Sequence, residues 1–246
     1  MNRIEEAIHF AVKAHEGAVR KGTSLPYILH PLEAAAIAAR FTPDPDVIAA
    51  AVLHDVLEDT PCTADELRAA FGERVTALVL SNSEDKRPDR PAEETWEVRK
   101  QETLDHLRGA SREEKIVAFA DKLSNLRSIL NDYLRLWETL WQRFRQKDPA
   151  KHVWYYEGVY DACAELDDSP LYLEYGRLLG ELRSRVREYE EFGGHDPNSL
   201  EIIATPGSGK WVLRPAHSSD VLVMTQEEFD GFVSGLRQAA GPGEST

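Results

Sequence analysis

The segment Ala49–Thr60 is apolar in its first half and carries four ionisable residues in its second half: His54, Asp55, Glu58 and Asp59. No Gly or Pro interrupts the segment, so we predict that it forms one helix. Residues four apart share a helix face, which would place His54 over Glu58 and Asp55 over Asp59. Charged groups on a segment otherwise suited to burial are usually paired or bound to a metal ion. The simpler alternative is a solvated helix end with an incidental acidic run.

Two further residues, His30 and Asp121, are of types that bind metal ions. Pro31 suits the first turn of a helix, because its missing N–H would be unpaired there, and His30 is therefore expected at a helix start. Asp121 follows a largely apolar run, so its carboxylate should emerge from the buried face of another helix. A single buried Asp is more often a cap or an ion-pair partner than a metal ligand.

Together, His30, His54, Asp55 and Asp121 offer two imidazoles and two carboxylates. This mixed nitrogen and oxygen set suits an octahedral ion such as Mn²⁺ or Fe²⁺, with positions open to water, better than a closed structural zinc site. An open site of this kind can activate water and neutralise phosphate charge, as phosphate-ester hydrolysis requires.

Polar residues near these positions suit a phosphorylated substrate. Arg20 and Lys21 are adjacent cations at a turn, where they could contact phosphates. Glu58 and Asp59 follow a ligand-type residue by about one helical turn and could take a proton from water. Asn125 lies one turn after Asp121 and would face the same space.

Composition restricts the classes of partner. The formal charge of −14 argues against a non-specific nucleic-acid binder, although a cleft with local cations could still take a small phosphorylated substrate. No apolar run approaches a membrane span, and the N-terminus does not resemble a signal peptide. Cys62 and Cys163 lack metal-ligand or secretory spacing, so we predict a cytoplasmic protein.

Helical periodicity predicts an all-α bundle up to about residue 191. The first helix is predicted over residues 3–20, and two short helices, Ala64–Phe71 and Glu73–Leu80, are predicted to join near Gly72. Residues 81–91 are polar and include two prolines, which predicts a mobile loop. The many aromatic residues that follow are interpreted as core packing and as a surface that a homo-oligomer could use.

The chain changes character after residue 191. Short β-rich runs and a capped helix predict a small C-terminal appendage built from a β-hairpin and an α-helix. We therefore predict a catalytic domain over residues 1–191, a linker over 192–198 and a small α+β tail domain over 199–240.

Three motifs, in order, resemble the His-Asp (HD) superfamily of metal-dependent phosphohydrolases. They are Arg20-Lys-Gly with Pro26-Tyr-Ile-Leu-His30-Pro31, then Leu53-His-Asp-Val-Leu-Glu-Asp-Thr60, then Asp121-Lys-Leu-Ser-Asn-Leu-Arg127. Over residues 9 to about 130 the chain looks like the hydrolase domain of RelA/SpoT enzymes and the small alarmone hydrolases. The resemblance implies an HD-domain helical bundle that removes the 3′-pyrophosphate of guanosine tetra- or pentaphosphate.

The resemblance also implies a role for each matching residue. One divalent ion, Mn²⁺ with Fe²⁺ or Zn²⁺ as alternatives, would be held by His30, His54, Asp55 and Asp121. Glu58 and Asp59 would be the catalytic residues that activate or position the attacking water. The nucleotide would be bound by Arg20, Lys21, Asn125 and Lys86.

Departures from the family pattern leave the substrate open. Gly17-Ala-Val-Arg20 stands where the family often has Gly-Gln-x-Arg, Leu25 occupies a commonly polar position, and the loop over 81–91 matches poorly. These changes touch the base and ribose pocket more than the metal ligands. Alternatives are an HD phosphohydrolase acting on ppApp, on the 2′-phosphate of NADPH or on a 5′-mononucleotide, and a regulatory module with a vestigial metal site.

Overall fold

Apolar runs with capped ends form the helices that make up most of the chain. The computed structural model describes residues 2–85, 87, 89–136, 140–191, 200–205, 209–215 and 222–239. Its first 191 residues contain α1 Arg3–Ala14, α2 Leu29–Ala38, α3 Pro45–Leu53, α4 Val56–Asp59, α5 Ala64–Ser81, α6 Ala92–Gly109, α7 Arg112–Leu136, α8 Pro149–Ala162 and α9 Pro170–Glu191. Among the described residues, no helix has both the length and the apolar character needed to cross a bilayer. The predicted helical bundle is confirmed.

Local capping explains several helix ends. Thr63 and Glu66 form the predicted capping box at the start of α5, in which each side chain bonds the backbone amide of the other residue. Gly72, with φ of +79°, kinks α5 where two helices were predicted to join.

The prediction of a first helix over residues 3–20 is wrong beyond Ala14. Gly17 adopts φ of +77°, which ends helical geometry, and the chain then turns back on itself. The Arg20 amide donates to the Leu25 carbonyl, and the Tyr27 amide donates to the Ala18 carbonyl, each at 2.9 Å. This turn brings the chain to the start of α2, and Arg20 lies within the turn.

Helix α3 is the centre of the bundle. Every residue from Val47 to Leu53 is buried, and the helix packs against α1, α2, α5 and α7. Small residues at its middle, Ala49 to Ala51, let these neighbours approach closely. The last turn of α3 therefore delivers His54 into the interior of the domain.

The prediction of one continuous helix through residues 49–60 is wrong. α3 ends at Leu53 and α4 begins at Val56, with Asp55 at φ of −94° and ψ of −4° between them. In a continuous helix the Ala51 carbonyl would accept from the Asp55 amide. Here His54 Nδ1 lies 2.8 Å from that carbonyl and takes its place. The competing side-chain bond accounts for the break.

The C-terminal part contains a three-stranded antiparallel sheet in the order β1 Leu200–Thr205, β2 Lys210–Pro215 and β3 Leu222–Thr225, followed by α10 Gln226–Ala239. Trp211 of β2 stacks on Phe229 of α10 with ring centroids 4.2 Å apart. The predicted β and α appendage is confirmed, and the three short β-rich runs form its three strands. The chain divides into two compact units, Met1–Val186 and Arg187–Thr246. The predicted linker at 192–198 lies outside the described residues.

Candidate active site

Three helical segments bring two imidazoles and one carboxylate together. His30 lies in the first turn of α2, His54 directly follows α3, and Asp121 lies within α7. One donor atom from each of these buried residues lies within 4.8 Å of the others. His30 Nε2 is 3.2 Å from His54 Nε2 and 3.1 Å from Asp121 Oδ1. We name these residues the His-His-Asp group, and their donors are those that a divalent cation takes in proteins.

Hydrogen bonds on the far side of each ring orient its Nε2 toward this group. The Ala51 carbonyl can only accept, so His54 Nδ1 carries the proton at their 2.8 Å contact. Ser124 donates its hydroxyl proton to Glu33 Oε2 at 2.8 Å, and its oxygen therefore accepts from His30 Nδ1 at 2.9 Å. In a neutral ring, each Nε2 then keeps a lone pair for an ion. The donor set and its orientation fit a divalent metal ion.

Asp55 lies beside the His-His-Asp group. Its Oδ2 is 3.0 Å from His54 Nε2 and 3.6 Å from His30 Nε2. The Tyr27 hydroxyl donates to the same oxygen at 2.6 Å and lies 3.3 Å from Asp59 Oδ2. The four residues predicted as ligands therefore meet at one place, although only three form the compact group. Tyr27 had no role in the prediction, and its position three residues before His30 was the available signal.

Charges within the group compensate one another. Burial lowers the pKa of His54, but the attraction of Asp55 and Asp121 outweighs it, and the pKa lies well above the ordinary 6.5. Burial raises the pKa of Asp121, but the positive charges of Lys122 and His54 hold it well below 3.8. Without a metal ion, the cluster is therefore an imidazolium surrounded by carboxylates.

Glu58 and Asp59, the residues predicted to handle water, both lie on α4. Burial raises the pKa of Glu58, the hydrogen bond from the Glu84 amide lowers it, and the charge of Asp55 raises it further; the net pKa is above 4.5. A raised pKa suits a carboxylate that accepts a proton near neutral pH. Asp59 faces a cleft shared with Arg20 and Lys21.

This cleft has a volume of about 360 Å³ and is rich in cationic and aromatic side chains. Arg20 Nη2 donates to Asn125 Oδ1 at 3.0 Å, and Asn125 Nδ2 donates to Asp121 Oδ1 at 2.5 Å. Three of the four predicted nucleotide-binding residues, Arg20, Lys21 and Asn125, therefore line one cavity, and Asn125 links it to the His-His-Asp group through its hydrogen bond to Asp121. The fourth, Lys86, lies outside the described residues.

Sequence reasoning missed other residues that line the cleft. Arg143, in the 3₁₀ turn after α7, bonds Asp132 Oδ2 at 3.2 Å and lies against Gly22. Lys100 and Tyr155 come from α6 and α8, and Tyr155 was interpreted only as core. No local pattern marks these residues, because the fold joins them to Arg20 across a long sequence separation.

Comparison with known proteins shows the family of the chain. The family model of the HD domain matches residues 7–148. Guanosine-3′,5′-bis(diphosphate) 3′-pyrophosphohydrolase MESH1 of Danio rerio is 36% identical over 127 residues, which cover 50% of this chain and 67% of that protein. The Xenopus tropicalis MESH1 is 38% identical over 129 residues, covering 51% and 69%. A guanosine-3′,5′-bis(diphosphate) 3′-pyrophosphohydrolase of Aquifex aeolicus is 46% identical over 76 residues, only 11% of its length.

Solved structures agree on the fold. The structure of a metazoan ortholog of SpoT, which hydrolyses ppGpp, aligns with a TM-score of 0.58 at 23% identity, covering 79% of this chain and 98% of that one. A crystal structure of a Listeria monocytogenes protein aligns with a TM-score of 0.55 at 32% identity, covering 68% and 99%.

Proposed function

This chain belongs to the HD domain family, and we propose that it is a metal-dependent hydrolase that removes the 3′-pyrophosphate of guanosine tetra- and pentaphosphate to leave GDP or GTP. The observation that carries the proposal is the His-His-Asp group, joined through the Asn125–Asp121 hydrogen bond to the wall of a cationic cleft. The activity that the names of the two MESH1 relatives give supports the choice of substrate.

Within this proposal, His30, His54, Asp55 and Asp121 hold one divalent ion. The nitrogen and oxygen donors support Mn²⁺, with Fe²⁺ or Zn²⁺ as alternatives. When bound, the ion supplies positive charge that stabilises the phosphoryl oxygens and makes a nearby water more acidic. The hydrogen bonds that His54 Nδ1 donates to the Ala51 carbonyl and His30 Nδ1 donates to Ser124 Oγ keep both rings oriented in the absence of the ion.

The protein's own side chains supply the remaining functions. Glu58, with its raised pKa, accepts the proton of the attacking water, and Asp59 orients that water. The bond between phosphorus and the ribose 3′-oxygen breaks, the water's hydroxyl leaves with pyrophosphate, and a proton returns to the 3′-oxygen. Arg20 and Lys21 hold the phosphates, and Asn125, fixed between Arg20 and Asp121, contacts the ribose.

A turnover assay tests the proposal. Purified protein with ppGpp and Mn²⁺ should release pyrophosphate and GDP, and Asp121→Asn should abolish this release. Asp161→Asn, on the exposed surface of α8, is a matched control and should keep full activity. Absence of release with Mn²⁺, Fe²⁺ and Zn²⁺ would refute the proposal.

A substrate panel separates the alternatives. Faster turnover of ppApp would move the assignment to another nucleotide, and release of orthophosphate from NADPH or a 5′-mononucleotide would indicate a phosphomonoesterase. Turnover of no nucleotide, with cellular effects unchanged by Glu58→Ala and Asp59→Ala, would favour a regulatory module. A cytoplasmic location remains a prediction that fractionation of cells can test.

A further inference from the structure

Glu58 lies on α4, which is only four residues long, so its side chain depends on contacts from other elements. One such contact comes from the loop after α5, whose Glu84 amide donates to Glu58 Oε1 at 2.7 Å. The loop over residues 81–91 was predicted to be mobile. In the structure, Glu84 of this loop is held by a specific hydrogen bond to Glu58. The backbone of Glu84 is therefore hydrogen-bonded to Glu58, the residue proposed to accept the proton of water.

The carboxylate of Glu84 is itself held on the opposite side by α6. Arg99 Nη1 donates to Glu84 Oε2 at 2.7 Å, and Lys100 Nζ donates to Glu84 Oε1. The three side chains are only 12%, 9% and 17% exposed, respectively. Buried charge pairs are rigid when complete, and they become costly when one partner is lost.

The two cations are fixed in turn by α6 and its neighbours. Arg99 Nε donates to Thr95 Oγ1 at 3.3 Å, and its Nη2 donates to the Ala92 carbonyl at 3.4 Å. Lys100 Nζ lies 4.7 Å from the centre of the Tyr155 ring, a cation–π distance. These contacts tie Glu84 to a long helix through two separate side chains.

We propose that Glu84, held by Arg99 and Lys100, is a positioning residue that fixes the Glu58 carboxylate for catalysis. The inference rests on the proposed function, because it assigns a role to Glu58 in that reaction. A loss of position of about 1 Å can reduce a rate by about 100-fold. The ion pairs thus set the position of a backbone amide, and the amide sets the position of Glu58.

Glu84→Gln tests the proposal, because it keeps the backbone amide and the side-chain size while removing the charge that Arg99 and Lys100 neutralise. We expect kcat for ppGpp to fall about 10-fold or more, with KM and the Mn²⁺ Kd within about twofold of wild type. Glu97→Gln is the matched control, since Glu97 lies on α6 near Arg99 and Lys100, is 63% exposed and pairs with Lys151 at the surface. It should leave kcat unchanged.

A double-mutant cycle with Glu58→Gln distinguishes positioning from general support of the fold. If Glu84 acts through Glu58, adding Glu84→Gln to Glu58→Gln should reduce kcat by less than about twofold. A further 10-fold loss in the double variant would overturn the proposal. If Glu84→Gln does not fold, the milder variant Arg99→Lys takes its place and should reduce kcat about threefold without changing KM. A wild-type kcat for Arg99→Lys would also overturn the proposal.

Crystal structures give a readout that does not depend on activity. In Glu84→Gln, the Glu58 Oε1 to residue 84 amide distance should exceed the 3.5 Å limit of a hydrogen bond, against 2.7 Å in the native protein. An intact bond in the variant would refute the positioning role, even for an active enzyme. A wild-type protein that turns over no nucleotide would refute the proposed function instead, and the crystallographic comparison would still decide the role of Glu84.

Discussion

Removal of a single oxygen atom, by Tyr27→Phe, should weaken metal binding. The Tyr27 hydroxyl donates to Asp55 Oδ2 at 2.6 Å and lies 3.3 Å from Asp59 Oδ2. It therefore connects a proposed metal ligand to a proposed catalytic carboxylate. Burial raises the pKa of Tyr27 well above its ordinary value, and the charge of Asp55 raises it further, so the hydroxyl keeps its proton and acts as a donor.

The expected loss follows from the geometry. A hydroxyl has one hydrogen, and the 2.6 Å contact lies within the range of a charge-assisted bond, whereas 3.3 Å does not. We therefore count one bond to a charged group, worth about 1.5–3 kcal/mol. At about 1.4 kcal/mol per factor of ten, this equals a loss of roughly 10- to 150-fold. Removal of partners of metal ligands commonly weakens metal binding by about 10- to 100-fold, which agrees with this range.

Calorimetric titration of chelator-stripped protein with Mn²⁺ measures the effect directly. Tyr27→Phe should raise the Mn²⁺ Kd by about 10- to 100-fold at constant pH and salt. Tyr172→Phe is the matched control, because its hydroxyl donates to the neutral Tyr160 carbonyl at 3.2 Å, away from the cleft. Its Kd should stay within about twofold of wild type. Equal Mn²⁺ affinity of Tyr27→Phe and wild type would show that the hydroxyl does not support Asp55 as a ligand.

Two further predictions concern pH and the cleft wall. Burial lowers the pKa of His54, but the neighbouring carboxylates outweigh burial and raise the pKa above 6.5. In protein stripped of metal by a chelator, the stabilisation that His54 contributes is therefore complete below pH 6.5. It is lost as the pH rises through the raised pKa of the folded state. Thermal unfolding of the metal-free protein should show this decline, and a His54→Gln variant with the same slope would contradict it. Gly22→Ala and Gly17→Ala should each lose about 1–2 kcal/mol of unfolding free energy because both glycines have positive φ. Of the two added Cβ atoms, only the one at Gly22 would overlap the Arg143 guanidinium. Gly22→Ala should therefore raise KM for the nucleotide, whereas Gly17→Ala should not. Equal KM values for the two variants would refute this expectation.

Local patterns predicted the helices and the three motifs, but not the geometry between them. The capping box at Thr63 and the kink at Gly72 depend on neighbouring residues, so the sequence reveals them. The break after Leu53 depends on which way the His54 ring turns, and nothing in helix propensity records that choice. Arg143 could not be predicted for a related reason, because its place in the cleft is set by the packing of distant segments.

The charge distribution of the cleft explains how a chain with a net charge of −14 can bind a polyanion. The cations that line the 360 Å³ cavity are Arg20, Lys21, Lys100, Lys122 and Arg143, against two carboxylates, Asp59 and Asp132. The local potential is therefore opposite in sign to that of the whole chain, and a concave site strengthens it.

The cavity beside it has both acidic and cationic walls. Its five acidic residues, Asp55, Glu58, Asp59, Glu84 and Asp121, are matched by the cations Lys21, Arg99, Lys100, Lys122 and Arg145. In the proposed function, a divalent ion would lie at Asp55 and Asp121 in the wall of this cavity, where it would add positive charge and attract one phosphate. The cations of the first cavity would then hold the rest of the nucleotide. Under the proposed function, the phosphate to be cleaved would lie at the metal site beside Glu58, which lines this second cavity.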